Sequence, residues 1–186
     1  MHQSLFHNGQ YARHHTSLPA SLRDWLMHPG SFMTRLKERG AQNPKIRVLQ
    51  QGWQMPVIDE RLQLKLPFRS YSWVREVLIA SVDKPWMYAR TIFPRQTLTG
   101  QQRQLARLKS RSLGSVLFKD PTLERTEFEF STIQPGMKLH TKIGGIIELA
   151  SVDLWARRSM FAVRGKPLLL TEVFLPEVEK LGALCV

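Results

Sequence analysis

One carboxylate stands inside an otherwise apolar segment. Residues 164–176 read RGKPLLLTEVFLP, with a turn signal at the start and a second proline at the end. A short run of this composition predicts a β-strand, in which Leu170, Glu172 and Phe174 share one face. A carboxylate in such surroundings needs a partner, a proton or a ligand, because an unpaired buried charge is very costly. Glu172 is therefore a candidate for ligand binding, for acid–base chemistry or for a buried ion pair.

An arginine poses the same question earlier in the chain. Residues 71–79 read YSWVREVLI, and Arg75 shares its face of the predicted strand with apolar side chains only. Two interpretations remain open from the residues alone. Glu172 could form a salt bridge with Arg75 or Arg90. Alternatively, an apolar cavity could use arginines for substrate carboxylates and the glutamate for a hydroxyl group, since guanidinium–carboxylate contacts in a dry pocket are strong and orienting.

Two stretches of the sequence resemble each other. Residues 75–94 and 157–176 align without a gap and share Arg, Ala, Lys, Pro and Pro at matching positions. The common strand–turn–strand layout predicts two equivalent β-hairpins packed in one sheet. In this alignment Arg90 corresponds to Glu172, so we expect the two side chains at matching points of the hairpins.

Hydrophobic patterns predict the elements that position these residues. Short helices are expected just after residue 20 and within 30–40, and an amphipathic helix within 99–110. Residues 134–150 are expected to form a long connection or a loose hairpin. Strands are predicted at 45–51, 71–80, 86–94, 125–133, 153–163 and 167–175. Hairpins dominate and no strand–helix–strand pattern appears, which favours an α+β fold with a single antiparallel sheet.

Composition indicates one globular domain. The 186 residues are 42% hydrophobic and 23% charged, and we expect a mobile polar leader at 1–18 followed by the domain at 19–186. A single cysteine excludes a disulfide framework and a cysteine metal cluster, and it fits a cytoplasmic protein. No apolar run approaches the roughly 18 residues of a membrane span, so no stable membrane insertion is expected.

The formal net charge of +12 raises the question of a nucleic-acid partner or a small anionic substrate. The sequence has no zinc-finger spacing, no helix-turn-helix pattern and no aromatic RNA-binding signature. The densest basic stretch, residues 103–112, fits the solvated face of a helix. We therefore expect a monomer that binds a small molecule and no nucleic acid.

Several segments resemble the chorismate pyruvate-lyase family: WVREVLI, YARTIFP, LGSVLF and, most specifically, WARRSMFAVRGKPLLLTEVFLP. The resemblance covers about residues 20–176. It implies an antiparallel sheet with helices and flaps that enclose a buried ligand pocket. It also implies an enzyme that converts chorismate to 4-hydroxybenzoate and pyruvate at the start of ubiquinone synthesis, without a metal or another cofactor.

The resemblance also implies roles for individual residues. Arg75 would bind the ring carboxylate and Glu172 the ring hydroxyl, while Leu113 would contribute its backbone. Arg90 would lie near the enolpyruvyl side chain. Glu172 and Arg90 are thus the expected catalytic residues, with Glu172 acting as a base or only positioning the hydroxyl.

Two parts of the chain are less well defined by the resemblance. The family uses the main chain of a flap helix, which corresponds here to Phe32 or, with a shift of one residue, to Met33. The segment 131–152 is longer than the family connection, and it could cover the site or lie on the surface. A function of another class also remains: a non-catalytic sensor of aromatic acids, related to the ligand-binding domains of transcription regulators.

Overall fold

A computed structural model describes residues 18–81 and 84–181 of the chain. The strands are β1 Lys45–Gln54, β2 Ser72–Ser81, β3 Lys84–Pro94, β4 Leu123–Arg125, β5 Glu129–Ile133, β6 Leu154–Val163 and β7 Lys166–Phe174. The helices are α1 Ala20–Met27, α2 Phe32–Glu38, α3 Ile58–Gln63, α4 Gly114–Leu117, α5 Lys138–Gly144 and α6 Glu177–Lys180. A 3₁₀ helix spans Gly100–Arg107, where the sequence predicts an amphipathic helix.

The seven strands form one antiparallel sheet in the order β1-β2-β3-β7-β6-β4, and β5 also pairs with β6. The predicted hairpins are β2–β3 and β6–β7, and they meet where β3 pairs with β7 in the middle of the sheet. The predicted α+β class with a single hairpin-built antiparallel sheet is therefore confirmed.

The two faces of the sheet carry different layers. On the front face, Trp25 of α1 and Phe32 of α2 pack with Phe174 of β7 in the largest hydrophobic cluster. On the back face, Leu139 and Ile143 of α5 pack against a second cluster. Because side chains alternate along a strand, successive residues point to opposite faces of the sheet and contact different layers.

The segment 131–152 differs from the expected loose connection. It contains α5, in which the buried Leu139 and Ile143 lie about one turn apart and form an apolar stripe. The glycines on either side of this short helix obscure the pattern in the sequence. Since α5 packs on the back face, the segment does not cover the front of the sheet. The single strand expected at 125–133 is also wrong, because β4 and β5 pair separately with β6.

The boundary of the leader also needs correction. Leu18, assigned to the polar leader, is buried in the front-face core at 4% exposure. The rest of that segment, residues 1–17, lies outside the described residues, as do 182–186. Within the described ranges, no helix is both long and apolar enough to cross a bilayer.

Candidate functional site

A pocket lies on the front face, between the central strands and two flap segments. Arg75 of β2 and Glu172 of β7 lie on its floor, and Phe32 and Met33 of α2 form one wall. The opposite wall is the segment around Leu113 that begins α4. The two walls lie in close contact, so that a Cβ atom added at Gly114 would be only 3.1 Å from Ser31 Oγ. The structure thus brings together four of the five predicted site residues.

Arg75 is a buried cation that makes no ion pair with any residue in the described ranges. It is 2% exposed, and Nη2 donates hydrogen bonds to the backbone oxygens of Lys109 at 2.9 Å and Arg111 at 3.0 Å. Its Nε is buried without a hydrogen-bond partner. Burial lowers the pKa of Arg75 to about 10. An anionic ligand in the pocket would supply the charge and the acceptor that this side chain lacks.

Glu172 has a partner that neither sequence interpretation named. Its Oε2 accepts a hydrogen bond from Arg157 Nε at 2.6 Å, and both residues are buried. Neither Arg75 nor Arg90 pairs with it. Arg157 Nη1 also donates to backbone oxygens at the end of α1, including Leu26 at 3.0 Å and His28 at 2.8 Å. Glu172 is therefore a pocket-lining carboxylate and a member of a buried ion pair at once.

Arg125 is a third arginine in the pocket lining, and sequence reasoning missed it. Nη1 donates to the backbone oxygen of Pro29 at 2.6 Å and Nε to Ser159 Oγ at 3.2 Å. The guanidinium lies 3.8 Å from the centre of the Phe128 ring. Burial, with repulsion from Arg157 in second place, lowers the pKa of Arg125 to about 10. The pocket therefore holds two cations, Arg75 and Arg125, that lack a carboxylate partner within the described part of the chain.

Arg90 does not belong to this pocket, and its predicted place there is wrong. Its side chain points to the back face and is 6% exposed. It binds Glu60 of α3 through two hydrogen bonds of 2.7 and 3.1 Å, and it also pairs with Glu76 of β2. Glu76 in turn binds Lys142 of α5. Burial alone would lower the pKa of Arg90, but the charges of Glu60 and Glu76 outweigh it and raise the pKa.

A β-bulge explains why the gapless alignment misplaces Arg90. The pairing of β2 with β3 shifts between Ile79 and Ala80. As a result Arg75 pairs with Thr91, whereas in the second hairpin the equivalent Arg157 pairs with Glu172. The true counterpart of Glu172 is thus Thr91, which lines the pocket. A shift of one residue moves a side chain to the other face of a sheet.

Simple hairpin arithmetic could have found Arg157. Arg164 and Gly165 form the turn, both with positive φ, so Val163 pairs with Lys166. Counting back along both strands sets Arg157 opposite Glu172. No comparable signal identifies Arg125, because it lies at the end of a three-residue strand, where the sequence shows no clear register.

The remaining predicted residues have uncharged side chains and offer backbone groups to a ligand. Phe32 and Met33 are the first two residues of α2, and Leu113 directly precedes α4. The N–H groups of a first helical turn have no acceptor within their own helix, so they are available to a ligand. Both Phe32 and Met33 line the pocket, and the geometry therefore accommodates either alignment of the flap helix.

The site suits a small, flat, anionic molecule. Its lining includes apolar side chains such as Val77, Ile79 and Leu170, which can pack against a ring. Arg75 and Arg125 can each bind a carboxylate, and Glu172 can accept a hydrogen bond from a hydroxyl group.

Solved structures with a similar fold come from transcription regulators. PhnF from Mycobacterium smegmatis matches with a TM-score of 0.57 and 10% identity, covering 81% of this chain and 66% of that one. A GntR-family regulator from Bacillus cereus matches with a TM-score of 0.56 and 13% identity, covering 73% and 94%. At these identities the likeness concerns the fold alone.

Sequence comparisons point to one family. The family model described as "Chorismate lyase" matches residues 8–180. The chain is 36% identical over 160 residues to the chorismate pyruvate-lyase of Pectobacterium atrosepticum, covering 86% of this chain and 80% of that protein. It is 35% identical over 165 residues to the probable chorismate pyruvate-lyase of Nitrosomonas eutropha, covering 89% and 92%. With the match extending over nearly the whole chain, the protein belongs to the chorismate lyase family.

Proposed function

We propose that this protein is a chorismate pyruvate-lyase that converts chorismate to 4-hydroxybenzoate and pyruvate, the first step of ubiquinone synthesis. The observation that carries the proposal is the front-face pocket, which is lined by apolar side chains, by the carboxylate of Glu172 and by Arg75, a buried cation without an ion-pair partner among the described residues. We expect the enzyme to act as a monomer in the cytoplasm.

The reaction is an elimination that balances without a co-reactant. The C3–O bond of chorismate breaks, and its electron pair leaves with enolpyruvate. The C4 hydrogen departs as a proton, and the electrons of the C4–H bond complete the aromatic ring. The proton ends on the methylene carbon of enolpyruvate, which becomes the methyl group of pyruvate. The gain of aromaticity drives the reaction, so the protein must orient the substrate and stabilise the leaving group.

The proposed pose sets the ring carboxylate on Arg75 and on the backbone N–H of Leu113. The ring packs between the apolar walls, and the C4 hydroxyl donates a hydrogen bond to Glu172. Arg157 donates a hydrogen bond of 2.6 Å to Glu172 Oε2 and so holds the carboxylate in place to accept this bond. In this proposal Glu172 positions the hydroxyl, and the substrate's own enolpyruvyl methylene receives the proton.

We assign the enolpyruvyl carboxylate to Arg125, the role that the sequence resemblance gives to Arg90. Arg125 lines the same pocket and has no carboxylate partner in the described ranges, whereas Arg90 is bound to Glu60 and Glu76 on the other face. A guanidinium near the breaking C3–O bond would stabilise the charge that develops on enolpyruvate. Arg125→Ala should therefore weaken chorismate binding much more than 4-hydroxybenzoate binding, because the product lacks the second carboxylate.

The alternative function, a non-catalytic sensor, rests on the fold alone. Its support is the likeness to regulator domains at 10–13% identity. A turnover assay separates the two functions. Chorismate incubated with the purified protein should yield 4-hydroxybenzoate and pyruvate in equal amounts, and Arg75→Ala should abolish most of the rate. Saturable binding of chorismate without either product would instead establish the sensor.

A further inference from the structure

Exposed apolar side chains concentrate in one connection of the fold. Eight large hydrophobic residues are exposed among those described, and five of them lie within residues 53–71. The most exposed are Phe68 at 77%, Leu62 at 73% and Tyr71 at 55%. Soluble proteins rarely expose such groups close together without a binding role.

The fold gathers these side chains at one end of the sheet. Gln54 at the end of β1 pairs with Ser72 at the start of β2, so residues 55–71 form a single excursion from this edge. Trp53 stands beside it, with its ring 5.7 Å from that of Trp73. On α3, Ile58 and Leu62 are four residues apart and therefore point in the same direction. We call Trp53, Ile58, Leu62, Phe68 and Tyr71 the apolar end.

Basic side chains frame the apolar end. Lys65 and Arg69 are exposed at turn positions with φ of 51° and 62°. The guanidinium of Arg69 lies 5.6 Å from the centre of the Phe68 ring, and that of Arg95 lies 5.0 Å from the centre of the Trp53 ring. Such contacts hold cations beside aromatic rings at the surface.

The carboxylates within residues 53–71 add little negative charge to the surface, because both are paired with arginines. Within residues 53–71, all of which the structure describes, Glu60 is 1% exposed and bound to Arg90. Asp59 is half-buried and faces Arg158 at 3.4 Å. The apolar end therefore presents aromatic, aliphatic and positively charged groups with no free carboxylate between them.

We propose that the apolar end docks the protein on the surface of an anionic lipid bilayer. Aromatic rings and Leu would enter the headgroup region, while Lys65, Arg69 and Arg95 would contact lipid phosphates. A second copy of the chain is a poor occupant, because pairing two such ends would bring like charges together. Nucleic acid would use the cations and the rings but would leave the aliphatic side chains of Ile58 and Leu62 without a role.

Vesicle sedimentation tests the proposal with the full chain. Vesicles of phosphatidylcholine alone are compared with vesicles containing about one-third phosphatidylglycerol, each at low and high salt. The wild-type protein should pellet with the anionic vesicles and be released by salt. Leu62→Ser/Phe68→Ser should lose at least about tenfold in partitioning, since it removes the inserted groups.

A charge variant and two controls complete the design. Lys65→Asn/Arg69→Asn should lose about fivefold per charge, and asparagine tolerates the positive φ at both turns. Val152→Ser and Lys45→Asn/Lys84→Asn remove an exposed apolar group and two exposed charges from other parts of the surface. The control variants should bind vesicles as the wild type does, and all variants should retain lyase turnover.

Three results would overturn the proposal. The first is no difference between anionic and neutral vesicles. The second is an unchanged partition coefficient for Leu62→Ser/Phe68→Ser in a protein that still turns over chorismate. The third is an effect of Lys65→Asn/Arg69→Asn on nucleic-acid binding or on self-association alone, with vesicle binding unaltered.

Discussion

Replacing Glu172 by glutamine tests both of its roles in one molecule. The wild-type carboxylate accepts a hydrogen bond of 2.6 Å from Arg157, and both side chains are buried. Glutamine keeps an acceptor oxygen but removes the charge, so we expect a loss of about 1–2 kcal/mol in the free energy of unfolding. For a protein of this length that corresponds to a fall in Tm of roughly 2–8 °C. Glu172→Ala should cost more, about 3–5 kcal/mol, because Arg157 then loses both its counter-charge and its hydrogen-bond acceptor.

Turnover and product binding are measured on the same two variants. If Glu172 positions the ring hydroxyl, Glu172→Gln should retain the rate to within about tenfold and Glu172→Ala should lose more. Loss of a general base would instead cost about 10²–10⁴-fold in Glu172→Gln. Glu76→Gln is the matched control, since it makes the same change in a buried ion pair on the back face. It should lower Tm without altering the affinity for 4-hydroxybenzoate.

Two results would refute this reasoning. Thermal melts identical to the wild type would mean that the pair with Arg157 contributes nothing to stability. A Glu172→Ala protein that melts several degrees lower and yet binds product and turns over normally would make Glu172 a structural residue only.

Three further predictions concern the cations and the back-face network. Arg75→Ala should weaken 4-hydroxybenzoate binding by about 1.5–3 kcal/mol, roughly 10–100-fold by calorimetry. Its free energy of unfolding without ligand should barely change, because burial already disfavours this cation and lowers its pKa to about 10. Unimpaired affinity would contradict the assignment. Arg90→Ala should lower the free energy of unfolding by about 3–5 kcal/mol in urea, since Glu60 and Glu76 lose their buried cation. Its product affinity should stay within about twofold of the wild type. A selective loss of affinity would instead show that Arg90 takes part in ligand binding. Burial alone would raise the pKa of Glu76, but Lys142 and Arg90 outweigh it and hold the pKa below the usual 4.5. A depressed carboxyl pKa contributes stability above the unfolded-state value and loses it as pH falls. The stability gap between the wild type and Glu76→Gln should therefore shrink below about pH 4.5 in urea titrations, and a constant gap would exclude the linkage.

The sequence predicts the hairpins well because their signals are local. Apolar runs bounded by glycine and proline define β6 and β7, and alternation correctly sets Glu172 on one face with Leu170. The same reasoning correctly sets Arg75 on one face of its strand with the apolar side chains of Val77 and Ile79. These elements need no knowledge of distant contacts.

The features that the sequence does not predict also have physical causes. The gapless repeat assumes one register in both hairpins, and the bulge near Ile79 breaks it, so Arg90 changes face. The partner of Glu172 depends on cross-strand pairing, and Arg125 depends on how a three-residue strand meets β6. Glycines obscure the helical pattern of α5 in the sequence, and the helix forms because the back face of the sheet offers an apolar surface. Long-range packing decides each of these features.

The most direct test of the central claim is a crystal structure of the protein bound to 4-hydroxybenzoate. The ligand should lie in the front-face pocket, with its carboxylate within about 3 Å of the Arg75 guanidinium and the Leu113 N–H. Its hydroxyl should contact Glu172, while Arg90 remains bound to Glu60 on the other face. A reversed ligand with its hydroxyl on Arg75, or a ligand bound outside this pocket, would contradict the account.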